Sequence, residues 1–198
     1  MIEFLPEEHL YIWDGVITPS VTRVVRCALG NGDISGVPPA VLAAKAAYGN
    51  EVHEICENYL FSAAHRTIED PNISKSVEEF AEMVGSRKIK GLASERIVGY
   101  QHRVCGKYDI LADVGGKVTL LDIKTTAKFP WEYLRLQLTM YALSAEETDG
   151  IHVEELAAVW LPKGKRAKYV SIEPANLADV EKAISEYEKQ NTGWEILL

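Results

Sequence analysis

Cysteine is scarce in this sequence: Cys27, Cys56 and Cys105 are the only three in 198 residues. They are odd in number, far apart and without a C-x-x-C pair, which argues against a disulfide framework and against a zinc site. Each reads as a small buried hydrophobe in a reducing compartment. No run of eighteen residues is apolar and free of charge, so no segment is long enough to cross a bilayer as a helix. The opening MIEFLPEEHLYIW carries acids where an export signal has a basic start and an unbroken apolar stretch, so a soluble, cytoplasmic protein is expected. There is no G-x-x-x-x-G-K-[ST] motif, so any helicase activity has to come from another chain. Positive charge is also short. With 21 basic and 29 acidic residues the net charge is -8, which speaks against coating nucleic acid by bulk attraction. A nucleic-acid enzyme stays open, because carboxylates gathered around a divalent metal contribute negative charge that the metal offsets.

What is present is 47% apolar residues, enough in a chain of this length for one sizeable core, and a single domain over 1–198 is expected. Two local basic strips stand out, Lys163, Lys165, Arg166 and Lys168, and Arg87, Lys88 and Lys90. Either reads as solvated surface unless a site lies nearby. The opening segment reads as a strand or hairpin around Asp14-Gly15, followed by a helix-start signal at Thr18-Pro19-Ser20 and a short helix over 21–29. Residues 31–39 are rich in Gly and Pro and read as a loop; 40–61 and 73–85 read as helices. From residue 92 the pattern turns to strands, over 92–100, 104–114 and 118–123. Helix returns over 130–147, strands over 153–161 and 167–173, and a closing helix over 176–190 follows Pro174.

The chemistry concentrates in the strands around Gly115-Gly116. A two-residue loop at this dipeptide sets Asp109 opposite Asp122. Directly opposed carboxylates repel and need compensation. Lys124, two residues beyond Asp122 on the same face, supplies part of it. A divalent cation supplies more, since two carboxylates at this separation donate oxygen ligands and leave positions open for water and phosphate. A lysine beside such a site suits phosphodiester hydrolysis, by positioning or deprotonating water and neutralising developing charge. Glu95, in SERIV, is placed to complete the acidic cluster. The plainer reading has both aspartates in solvent and Lys124 in an ordinary surface ion pair. Against it, Leu111 and Leu120 share one predicted face and Ile110 and Leu121 the other, so the strands look covered on both sides. A bulge would shift the register by one residue and send one aspartate to the opposite face.

These residues resemble the PD-(D/E)XK nucleases and, within them, the RecB-like exonuclease branch. GKYDILADVGGKVTLLDIKTT is similar to that branch's G-x-x-D and D-x-K strands, LQLTMYAL to its Q-x-x-x-Y helix, and YGNEVHEICENYL to the helix that carries its histidine. The four elements stand in the family's order across residues 48–143. The resemblance implies that Asp109 and Asp122 bind a catalytic Mg2+ or Mn2+, with His53 and the backbone carbonyl of Ile123 as further ligands. Lys124 is then the catalytic lysine and Glu95 the upstream acid, while Gln137 and Tyr141 stand beside the site and organise the lysine or the DNA strand. The proline that names the family is absent, Leu121 preceding Asp122, as is common in this branch. An imidazole is a softer donor than magnesium prefers, so His53 fits manganese at least as well. Relatives with an iron-sulfur cluster use three late cysteines; none follows Cys105, so no cluster is expected.

The expected fold is therefore α/β, a restriction-endonuclease-like core with a central mixed β-sheet flanked by helices, with a helical N-terminal part over about 18–88 and the catalytic sheet and helices over about 92–190. The expected activity is metal-dependent hydrolysis of DNA phosphodiesters, as an exonuclease of phage or prophage type in end processing or recombination. The competing readings are a catalytically inactive module that holds DNA ends for a larger complex and a restriction-type endonuclease. A single-strand annealing or recombination protein is a plausible partner, and processive action calls for a homo-oligomeric ring or a tunnel around the DNA.

Overall fold

The computed structural model describes residues 1–8, 10–30, 36–62 and 67–191. Three short strands, β1 (Ile2–Leu5), β2 (Leu10–Trp13) and β3 (Val16–Thr18), form an antiparallel sheet whose Asp14-Gly15 turn uses left-handed backbone at both residues. Two further hairpin turns join the next three strands. β4 (Ile89–Tyr100), β5 (Val104–Val114) and β6 (Lys117–Lys124) run antiparallel in succession. The β5–β6 turn is Gly115-Gly116, with φ of 63° and 96°, the pair of positive angles that a tight hairpin demands and glycine adopts without steric cost. The pairing it sets, Val114 with Lys117 through Ile110 with Leu121, is the one expected from the sequence.

The helices are α1 (Val21–Leu29), α2 (Pro39–Phe61), α3 (Pro71–Arg87), α4 (Trp131–Asp149) and α5 (Leu177–Gln190). α4 carries the chain back so that β7 (Glu155–Trp160) pairs parallel with β6, and β8 (Lys168–Ile172) closes the order β4-β5-β6-β7-β8. This is a mixed five-stranded sheet between helices, the α/β restriction-endonuclease-like core.

Each face of the sheet has its own core. Leu111, Leu120, Leu156 and Ala158 pack with Val21, Val24 and Val25 of α1, Leu134 and Leu138 of α4 and Val180 and Ile184 of α5. Ile110, Leu121, Ile123, Ala157 and Val159 pack with Val52, Ile55 and Cys56 of α2 and Phe80 of α3. The helices expected as one N-terminal part are thus divided: α1 lies under the sheet with α4 and α5, while α2 and α3 cover the other side.

Element ends follow capping and pairing. α3 begins at Pro71 rather than 73 because Asp70 accepts the Asn72 N–H at 2.8 Å and proline suits the first helical position. β4 starts at Ile89 rather than 92 because Ile89 pairs with Val114, and a register shift between Gly91 and Ala93 absorbs the irregularity. Of the loop expected over 31–39, residues 31–35 lie outside the described residues.

Candidate active site

Alternation of faces reverses midway along β4 and β5. Ser94 donates to Glu57 of α2 on one side of the sheet, yet Arg96, only two residues on, pairs with Asp149 of α4 on the other. Across the ladder Ile110 belongs to the α2 core and Tyr108 to the α4 core. An undisturbed strand keeps residues two apart on one face. The reversal passes through Glu95, whose φ is 51°, and through Asp109, which stands between the pairs Ser94↔Ile110 and Arg96↔Tyr108.

The β5–β6 ladder ends at the same place. Its last pair is Ile110↔Leu121, while β6 continues to Lys124 along β7. Asp109 and Asp122 therefore flank the point where two strands part. The Asp109 carboxylate occupies the gap and accepts the Ile123 N–H at 3.0 Å, replacing a strand carbonyl. The Lys124 carbonyl points the other way and accepts from Leu161 N at 2.7 Å. Since a strand residue directs its N–H and C=O to the same side, the Ile123 carbonyl faces the gap as well.

Three elements bring side chains to this opening. From β6, Asp122 is buried, with 3% of its side chain exposed, and Lys124 Nζ stands 2.5 Å from its Oδ2. From α2, His53 Nδ1 lies 3.4 Å from Asp109 Oδ2. From α4, Tyr133, Gln137 and Tyr141 recur at one-turn spacing on one face. Tyr133 acts electrostatically on Lys124, and Asp109 on Tyr141. The Tyr141 ring presses on Gly106 of β5, and its hydroxyl bonds Thr22 of α1.

Burial pushes Asp122 upward from the ordinary carboxylate range; Asp109 adds to this and Lys124 opposes it. Burial alone would lower Lys124, but Asp122 and Asp109 outweigh it and hold the ammonium charged. Burial and then Asp109 likewise drive the Tyr141 hydroxyl upward. Two carboxylates against one ammonium leave surplus negative charge in a shielded place, and a cation relieves it. Gln137 Oε1 is buried without a hydrogen-bond partner, and the buried Asp122 Oδ2 faces the Lys124 ammonium. Among the described residues no three His, Cys, Asp or Glu side chains form a ready metal cage. The donor set that fits is two carboxylates with the Ile123 carbonyl, completed by water, which suits a hard divalent cation.

Glu95 stands across from Asp109 in the reversal, with left-handed backbone, and its carboxylate is paired with Lys107, two residues before Asp109.

The strip Lys163, Lys165, Arg166 and Lys168 lies at the Lys124 end of the sheet, because the parallel strands β6 and β7 finish together with Lys124 beside Trp160. Lys163 Nζ sits 4.9 Å over the Tyr48 ring of α2 and Lys168 Nζ 5.6 Å over Trp160. The strip at Arg87 is at the opposite end. There Arg87 stacks 4.0 Å over Tyr169 and lines, with Gly115 and Lys117, an open cleft of about 630 Å³.

Helical spacing places Tyr133 one turn before Gln137, but its approach to Lys124 has no local sequence signal. Thr22 and Trp160 were not singled out. They reach the site through helix and strand packing, for which no local pattern exists.

A sequence model of the PD-(D/E)XK nuclease superfamily matches residues 30–195. No curated protein matches the chain. Among solved structures, that of SSO0001 is similar at 17% identity and a TM-score of 0.41, covering 88% of this chain and 77% of the other. A phage related exonuclease from Haemophilus somnus 129PT is similar at 13% identity and a TM-score of 0.40, covering 88% and 93%.

Proposed function

The chain belongs to the PD-(D/E)XK nuclease superfamily, and on that premise we propose that it is a divalent-metal-dependent DNA exonuclease of the RecB-like branch. The observation that carries this reading is the convergence of Asp109, Asp122 and Lys124 where β5 and β6 part, with Asp122 buried and its carboxylate paired to the Lys124 ammonium. Asp109, Asp122 and the Ile123 carbonyl, with His53 as a further donor, would hold Mg2+ or Mn2+, which would supply Lewis-acid activation of water and neutralisation of phosphate charge.

The chain's own groups do the rest. Lys124 donates to the attacking water and opposes the negative charge that grows on the phosphate oxygens. Gln137 offers a buried acceptor that orients the water or the Lys124 ammonium, and Tyr141 fixes the Asp109 side of the gap. Glu95, across from Asp109 and paired with Lys107, is the upstream acid of the site. Lys163, Lys165, Arg166 and Lys168 take DNA phosphates beside Lys124. The biological setting we propose is DNA end processing alongside a single-strand annealing or recombination protein.

Digestion of end-labelled linear DNA by wild type and Lys124→Ala, with Mg2+, Mn2+ or EDTA, tests this. Expected are metal-supported release of nucleotides by the wild type, none with EDTA, and a loss of at least a hundredfold in the variant, the scale of one lost charge stabiliser. Covalently closed circles are expected to stay intact; their cleavage would replace the exonuclease with an endonuclease of restriction type. Binding without cutting under either metal would leave an end-binding module.

A further inference from the structure

Two loops leave the sheet at the Lys124 end, and their composition is opposite to that of the whole chain. Residues 123–131 and 159–172 hold six basic residues, Lys124, Lys128, Lys163, Lys165, Arg166 and Lys168, and no acidic one, in a chain of net charge -8. The same loops carry three aromatic rings in series. Trp160 is the strand partner of Lys124 and so shares its face; its Nε1 donates to the Thr126 carbonyl at 2.7 Å, which fixes the indole against the loop. Phe129 stands edge-on to Trp160 at 5.4 Å and to Trp131 at 4.8 Å. Trp131, at the start of α4, is 51% exposed.

A ledge of rings thus begins one strand position from the candidate catalytic lysine and runs into solvent, bordered by cations. Phosphate contacts alone need no aromatic ledge, because the bases of a duplex are already stacked on each other. Unpaired bases do use one: each presents a π-face, and aromatic rings beside a basic track bind single strands without regard to sequence. We propose that the Phe129–Trp131–Trp160 ledge stacks the bases of an unpaired DNA strand leading to the Asp122–Lys124 site, so that the enzyme takes single-stranded or frayed ends in preference to blunt duplex. The proposal rests on the nuclease reading for its direction, but the binding it asserts is measured without catalysis.

The test is fluorescence anisotropy in EDTA with a labelled oligo(dT) and a blunt hairpin duplex of equal phosphate count. Wild type is expected to bind the single strand more tightly. Trp131→Ala weakens that binding roughly fivefold or more, the loss of one base stack, and leaves the duplex within about twofold; Trp131→Phe restores most of it. Joint Lys165→Ala and Arg166→Ala weakens both forms and flattens the single-strand salt dependence by a slope of about 1.4, two phosphate contacts. Equal binding of both DNA forms by the wild type, or an equal loss of both on Trp131→Ala, overturns the ledge. Because the readout needs no metal, a wild type that shows the preference but never cuts refutes the nuclease reading and leaves the ledge standing.

Discussion

Gly106 and Gly91 offer a controlled pair. A methyl group added at Gly106 meets Tyr141 Cε1 at 2.5 Å and Val21 Cγ2 at 3.2 Å; one added at Gly91 meets Phe61 Cζ at the same 2.5 Å. The closest contacts are equal, about 1 Å inside ordinary carbon contact, and the neighbours are not. Tyr141 is 5% exposed, held between α4, β5 and α1, whereas Phe61 ends α2 at 39% exposure and can turn into solvent. Overpacking a fixed site costs about 1–3 kcal/mol, and in a chain of this size each kcal/mol moves the melting point by about 2–4 °C. Gly106→Ala is therefore expected to lower Tm by roughly 2–12 °C. Gly91→Ala stays within about 1 kcal/mol of wild type, helped by the smaller backbone entropy of alanine in the unfolded chain. Thermal unfolding by circular dichroism measures both. Repeating Gly106→Ala in a Tyr141→Leu background removes the ring edge and should recover most of the loss, as coupled neighbours do. Equal losses at 91 and 106, or a loss at 106 indifferent to Tyr141, would refute the reasoning. Because Tyr141 borders Asp109, Gly106→Ala should also slow any nuclease activity more than Gly91→Ala does.

Asn176 caps α5 by accepting the Asp179 N–H at 2.8 Å, so Asn176→Ala is expected to cost about 1 kcal/mol and to appear as a fall of about 2–4 °C in Tm. Thr148 ties α4 to β4 by accepting from Gly99 N at 2.9 Å and donating to Gly99 O at 3.0 Å; Thr148→Val is expected to lose about 1–3 kcal/mol in urea unfolding, and an unchanged midpoint would count against the tie. Arg103, bonded to Glu188 at 2.7 Å and to Glu181 at 2.6 Å, holds Glu188 below the usual carboxylate range. A carboxylate lowered on folding stabilises the protein above its unfolded pKa and ceases to as pH falls through the folded one. The Tm difference between wild type and Glu188→Gln should thus be full at pH 7 and begin to shrink only as pH falls below the ordinary glutamate value of about 4.3; a gap that does not shrink on further acidification contradicts it.

Nearly every element of this fold is legible in the sequence because local rules act there without competition. Ser20, Asp70 and Asn176 cap helices by bonding N–H groups two or three residues ahead, and Gly115-Gly116 imposes a tight turn that fixes which residues of β5 meet which of β6. Short range limits the same rules. They place Asp109 beside Asp122 but treat the ladder as continuous, and they do not show that Glu95 pairs with Lys107.

What the sequence by itself determined is the hairpin register and the order of helices and strands, set by periodicity and turn chemistry over a few residues, and the D-x-K and Q-x-x-x-Y motifs that carry the family resemblance. Tertiary structure alone decided that β5 leaves β6 at Asp109, that α1 and α2 fall on opposite faces, and that two separate loops meet beside Lys124. Those outcomes depend on contacts between residues tens of positions apart, where close packing of whole helices against a twisted sheet outweighs any preference a short segment can express.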